Sequence, residues 1–227
     1  MTDPKFDQYA HSYNDLHHQS TQIAGEEPDY FSAYKIAFLA EKLGEPSMSR
    51  NLLDFGCGVG NCLGHLLATF PTSNVYGLDI SSASIEVARQ AFPKAHLDLI
   101  QESLPLLDNS INAAIAVGVY HHMPVSERQK WTNELRRVIR PGGGLYIFEH
   151  NPLNPVTQKI VRDCPFDDDA ILLPRRESLA LMRDAGFTDL SCDYVMFFPK
   201  SLAGLRPLEK YIRGIPFGAQ YVAYGRA

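Results

Sequence analysis

From Asp54 to Asn61 the chain reads Asp-Phe-Gly-Cys-Gly-Val-Gly-Asn, three glycines at alternate positions behind a carboxylate. Glycines in a strand-to-helix turn let the backbone approach a ligand closely and take dihedrals that a Cβ forbids. A loop built for a dinucleotide pyrophosphate spaces its glycines GxGxxG; here they run GxGxG, with Asp54 two residues before the first. A carboxylate at that point repels a pyrophosphate and receives an ammonium group, directly or through water. Asp54, Gly56, Cys57, Gly58, Gly60 and Asn61 are therefore candidate ligand contacts. Asp79 ends the next apolar run, about twenty residues on, the separation at which a βαβ unit brings a carboxylate to ribose hydroxyls. The alternative for an acid there is to cap the helix that starts near Ser81. Together with the loop, ribose binding is the better reading, and an ammonium at one end with a ribose at the other favours S-adenosylmethionine over NAD.

Three histidines form a second group: His121 and His122 follow one apolar run, and His150 follows the next. Open α/β sheets bind ligands at the carboxyl ends of their strands, so each is a candidate general base, or a shaper of its loop through backbone hydrogen bonds. With His17 and His18 they show neither HxxxH nor Cys–His spacing, and no metal is expected. Beyond them, the segment from His150-Asn-Pro-Leu-Asn-Pro155 to Cys164-Pro-Phe-Asp167 is a non-repetitive excursion. Long ordered excursions are often functional, which makes Asn151, Asn154 and Arg162 candidate contacts for hydroxyl, carboxylate or phosphate groups of a substrate. A proline-shaped loop whose polar groups satisfy one another is the alternative.

These residues need elements that bring strand ends together. Apolar runs predict strands at Asn51–Phe55, Asn74–Asp79, about 95–100, Ile111–Val119 and Leu145–Glu149, with helices at about 60–70, Ser81–Phe92 and Ser126–Ile139 between them. Strand–helix alternation of this kind makes a parallel, doubly wound sheet. A helix over Tyr30–Gly44 precedes it; a helix over Arg175–Ala185, a short helical pattern around Leu205–Arg213 and two further strands, Leu190–Phe198 and Gln220–Gly225, follow the excursion. The expected organisation is one domain over residues 1–227, with an N-terminal arm at 1–45, a cofactor half at 50–150 and a substrate half at 151–227.

A net charge of -5 argues against broad capture of nucleic acid, which rests on Lys and Arg neutralising phosphates. The Arg136, Arg137 and Arg140 cluster reads as a charged helix end. Cysteines at 57, 62, 164 and 192 form neither a CxxC pair nor a disulfide framework, no apolar stretch approaches the roughly 18 residues that span a bilayer, and no leader pattern opens the chain. A cytoplasmic protein with a small-molecule partner, and neither nucleic acid nor membrane insertion, is expected.

The sequence resembles the class I methyltransferase family, particularly its small-molecule branch of ubiquinone and menaquinone biosynthesis-like enzymes. Leu53–Asn61 looks like the family's first motif and Gly77-Leu-Asp-Ile-Ser81 like its second. The likeness continues through Leu104-Pro105, Asp108-Asn-Ser-Ile111, Gly118-Val-Tyr-His-His-Met123 and Leu135–Gly143, over roughly residues 50–150. It implies a Rossmann-like, mostly parallel sheet of seven strands with an antiparallel last strand and an insertion after the fifth, and methyl transfer from S-adenosylmethionine without a protein nucleophile. It further implies that Ile80 packs on the adenine, that Gln101 and Glu102 meet the adenine's edge, and that Gly118 passes beside the methionine part. Tyr13 sits in an aromatic segment similar to one that closes over the cofactor. Many relatives carry Gly-Asp shortly before the Leu-Pro pair, whereas this chain has Ile100-Gln-Glu-Ser103. A non-catalytic cofactor-binding member and an NAD-dependent oxidoreductase are the competing readings.

Overall fold

The computed structural model describes residues 7, 10, 25–164 and 167–227. Its main elements are α1 (Pro28–Leu43), β1 (Asn51–Phe55), α2 (Leu63–Thr69), β2 (Asn74–Asp79), α3 (Ser82–Ala91), β3 (His96–Leu99), β4 (Ile111–Val117), α4 (Val125–Val138), β5 (Ile139–His150), α5 (Pro155–Asp163), α6 (Arg175–Asp184), β6 (Thr188–Val195), α7 (Glu209–Ile212) and β7 (Gln220–Arg226). The strands form one sheet in the order β3-β2-β1-β4-β5-β7-β6. Only β7 runs against its neighbours, pairing antiparallel with β5 and β6. This is the Rossmann-like, doubly wound sheet with an antiparallel last strand that the sequence predicts.

Alternate residues of each strand feed opposite faces. Leu53 and Phe55 of β1 join Leu145 and Ile147 of β5 against Leu135 of α4 and Met182 of α6. Leu52, Val75, Ile115 and Phe148 face Ile36 and Leu39 of α1, Leu66 of α2 and Ile85 of α3. Both faces are covered, which is why the central strands β1 and β4 are largely apolar. Several boundaries move from their predicted places, most of all in β4, β5 and β6. β4 stops at Val117 because Gly118 turns to φ +65° and Tyr120–His122 winds into a 3₁₀ turn. β5 begins at Ile139, since the Pro-Gly-Gly-Gly segment is carried into the ladder by pairs such as Ala113 with Gly144. β6 covers Thr188–Val195 rather than reaching Phe198.

The excursion after β5 contains a helix that the sequence reading did not place: Asn154 caps α5 by accepting from the N–H groups of Val156 and Thr157, with Pro155 in the first turn. Past α5 the chain docks on the 3₁₀ turn through Ile171 N–H to the His121 carbonyl at 2.8 Å. Arg128 of α4, 1% exposed, clamps this segment by donating to the Ile171 carbonyl at 2.8 Å and to Glu177 at 2.6 Å. Arg128→Ala removes that packed stem and strands a carbonyl. It should lower unfolding free energy by about 2–4 kcal/mol in a urea titration; a loss under about 0.5 kcal/mol, typical of surface sites, would contradict the clamp. No disulfide joins the cysteines, and no helix among the described residues is long and apolar enough to cross a membrane.

Candidate active site

The strand order reverses between β1 and β4: β2 and β3 lie to one side, β5 to the other. A crevice opens at such a switch point, beyond the carboxyl ends of the strands. A cavity of about 970 Å³ occupies it, lined by the loop after β1, the ends of β2, β4 and β5, and residues of α1, α4 and α5. That is near the upper end of the ~300–1,000 Å³ range of small-molecule sites, so a nucleotide-sized ligand fits with room beside it.

The glycine loop is folded for close approach. Gly56 takes φ +73°, and a Cβ there would lie 2.5 Å from Val119 Cγ2, so no other residue lets β1 and the end of β4 come together. Gly58, at φ +52°, meets nothing within 4 Å of its missing Cβ and leaves an open cradle in the cavity wall. Asp79 holds the loop: its carboxylate accepts from Gly58 N–H and Ser81 N–H, each at 2.8 Å. A carboxylate has about four lone-pair sites, so these bonds leave acceptor capacity for hydroxyl groups. The helix cap is Ser81, whose Oγ accepts from Ser84 N–H, and Asp7 receives the Ser81 hydroxyl at 2.7 Å.

Asp54 is 2% exposed and lines the cavity. Burial first, then the Asp79 charge, raise its carboxyl to about 7 against the opposing Lys35. Lys35 reaches the cavity from α1 and is itself pulled below its usual range by burial, with Cys62, Glu149 and Asp54 opposing. A buried carboxylate and a buried ammonium in one cavity suit the two charges of a free amino-acid group. Lys35 was not among the sequence candidates; the available signal was a lysine beside Ile36 on a helix packed against the sheet. Cys57 and Cys62 also line the cavity, but burial pushes both thiols up, Cys62 to about 12, which makes them packed walls rather than nucleophiles.

The histidines line the same cavity. His121, 2% exposed, has Nδ1 2.6 Å from Glu149 Oε2, and Glu149 also accepts from Tyr120 N–H at 2.8 Å. Burial opposes charge on His121, but Glu149 and Asp167 outweigh it and raise its pKa to about 9. Burial alone would raise Glu149, yet the His121 charge holds it below the usual carboxylate range. Burial and the neighbouring His121 lower His150 to about 4. Asp167, against His121 and His122, is held well below its ordinary range despite burial. His121 is thus pushed above 7 and His150 below it, so neither is tuned near 7 as a general base.

The structure gathers Asp54, Gly56, Cys57, Gly58, Asn61, Asp79, Ile80, Gln101, Gly118, His121, His122 and His150 around the one cavity. Other candidates fall elsewhere. Gly60 faces the Phe92 ring, where a Cβ would come within 2.8 Å, so it packs loop against helix instead of lining the cavity. Glu102 is exposed and outside the lining, leaving Ile100 and Gln101 at that edge. Asn151 spends its amide on the carbonyls of Pro216 and Gly218 and its oxygen on Leu153 N–H. Asn154 is consumed by the α5 cap and the Phe217 carbonyl, and the Arg162 side chain is 73% exposed beside Asp163. All three expected substrate contacts are thus structural or on the surface. Thr157, Ile160 and Asp167, from the same excursion, line the cavity in their place. Tyr13 lies outside the described residues.

Residues 52–143 match the family model described as a methyltransferase domain. The chain is 30% identical over 158 residues to a demethylmenaquinone methyltransferase of Chlorobaculum parvum, covering 68% of this chain and 62% of that one. It is 34% identical over 121 residues to a ubiquinone/menaquinone biosynthesis C-methyltransferase of Syntrophotalea carbinolica, covering 49% and 48%. The chain thus spans about half to three-fifths of these relatives' length. Its fold matches that of a SAM-dependent methyltransferase from Thermotoga maritima with a TM-score of 0.69 at 18% identity, over 98% and 97% of the two chains. The match runs through the loop, the acid at the end of β2 and the turn after β4, the elements that wall the cofactor end of the cavity. Sequence, topology and site thus agree on a likeness to the class I S-adenosylmethionine-dependent methyltransferases.

Proposed function

We propose that the protein transfers a methyl group from S-adenosylmethionine to a small-molecule acceptor held in the histidine-lined end of the cavity. The observation that carries this reading is the pairing, in one cavity, of a buried acid at Asp54 and a loop-bound acid at Asp79 on either side of the Gly58 cradle. When bound, the cofactor supplies an activated methyl on a sulfonium, which an acceptor atom displaces in line. Asp54 takes the ammonium and Lys35 the carboxylate of its amino-acid part, Asp79 accepts from the ribose hydroxyls, and Ile80 packs on the adenine. The protein contributes position and exclusion of water rather than a covalent intermediate.

An NAD-dependent oxidoreductase fits less well, because Asp54 faces the space where a pyrophosphate would lie. A non-catalytic member would lack an acceptor space, whereas this cavity extends from the loop to Trp131, Met123 and Thr157. Relatives named as fatty-acid and dimycocerosate methyltransferases favour lipid-like or quinone-like acceptors for trial. The test is incubation with methyl-labelled cofactor and a panel of phenols, quinols, fatty acids and sugars. Label should move to at least one class with matching release of S-adenosylhomocysteine. No transfer to any class, with cofactor bound, would favour the non-catalytic reading.

A further inference from the structure

We propose that His121, His122 and Asp167 form a binding site for one divalent transition-metal ion of the zinc class, placed at the acceptor end of the cavity. The Nε2 atoms of both imidazoles converge on the same oxygen, Asp167 Oδ1, at 3.6 Å from His121 and 3.3 Å from His122. The first distance is beyond a hydrogen bond and the second is at its outer limit. Both match the spacing of neighbouring ligands around an ion: with bonds of about 2.0–2.1 Å, tetrahedral ligand atoms lie about 3.4 Å apart. One ligand atom from each of the three residues falls within 4.8 Å of the others, and His121 and Asp167 are buried.

A second observation points the same way. His121 turns its other nitrogen to a carboxylate, Nδ1 lying 2.6 Å from Glu149 Oε2, while His122 Nδ1 stands 3.7 Å from Asp169, beyond a hydrogen bond. A carboxylate bonded at Nδ1 holds the His121 ring so that Nε2, once the ion displaces its proton, is turned to the site, as ligating histidines are held. Two imidazoles and one carboxylate suit zinc, manganese, iron(II) or cobalt; magnesium and calcium prefer all-oxygen sets. The third protein ligand arrives from the excursion after β5, so the site exists only in the folded chain, and its remaining positions face the cavity.

The role in transfer rests on the methyl-transfer reading; the binding site does not. An acceptor hydroxyl on the ion becomes more acidic and gives its proton to water. Its oxygen then forms the new bond to the methyl carbon as the sulfur–carbon bond breaks, the electron pair staying on sulfur. The site thereby selects oxygen acceptors.

The test is titration of the full chain, stripped with EDTA, with Co²⁺, following its visible d–d bands, with Zn²⁺ as competitor. One equivalent should bind and be displaced by zinc, and His122→Ala and Asp167→Asn should each weaken binding a hundredfold or more. Glu149→Gln, which keeps the ligands but changes the group behind His121, should weaken it about 10–100-fold. If the buried variants do not fold, His122→Ala, the least buried of the three ligands, carries the test. No saturable signal up to millimolar cobalt, or a signal unchanged in His122→Ala, overturns the proposal. S-adenosylhomocysteine titrated into the same stripped protein reports on the cofactor reading separately: its failure to bind leaves the metal result standing, and the reverse holds.

Discussion

Asp79→Ala should weaken S-adenosylhomocysteine binding by about a hundredfold or more, because two hydrogen bonds from ribose hydroxyls to a carboxylate are worth about 1.5–3 kcal/mol each and tenfold in affinity is 1.4 kcal/mol. The same substitution strands the N–H groups of Gly58 and Ser81, both now held at 2.8 Å. A drop of several degrees in melting temperature should therefore accompany it. Calorimetry at a temperature where the variant remains folded separates the two effects. Affinity within about threefold of wild type, where the lost bonds predict about a hundredfold, would mean that this acid only ties the loop to the helix.

A pH dependence set by Asp54 is the second expected result. The group sits among Asp79, Lys35, Cys57 and Cys62, and burial first, then the Asp79 charge, raises it to about 7. An ammonium ligand needs the carboxylate, so binding must expel the proton and lower that pKa. Affinity is then full above 7 and falls as pH drops through it, by about tenfold per unit. S-adenosylhomocysteine titrated from pH 5.5 to 7.5 in buffers of different ionisation enthalpy should show that slope and the release of a proton below 7. Asp54→Asn should abolish the slope and weaken binding at the top of the range by about one to two orders of magnitude. Lys35→Met should leave the slope and weaken binding. A flat wild-type profile would remove Asp54 from the ammonium site.

The glycine-loop wall of the cavity was readable from local sequence because its parts are consecutive: a strand, a loop and a helix, with Asp54 and Asp79 at fixed offsets. Both strands ending at that site lie where the apolar runs put them, Asn51–Phe55 and Asn74–Asp79. The rest of the cavity is built from distant pieces. Asp167 meets His121 and His122 across more than forty residues, and Lys35 lines the same cavity as Asp54 from a helix whose apolar face gives no hint that a charge turns inward. Asn151, Asn154 and Arg162 misled for a related reason: residue type shows what a side chain can bind, and only the fold shows that backbone has already claimed it. The α5 helix was recoverable, since Asn before Pro is a helix-start signal, but the surrounding prolines read more strongly as a loop.

The account stands or falls on what the cavity binds, and calorimetric titration of the purified protein with S-adenosylmethionine, S-adenosylhomocysteine and NAD measures that directly. The two sulfur compounds should bind at one site per chain while NAD gives no heat; binding of NAD alone, or of none of the three, would contradict it.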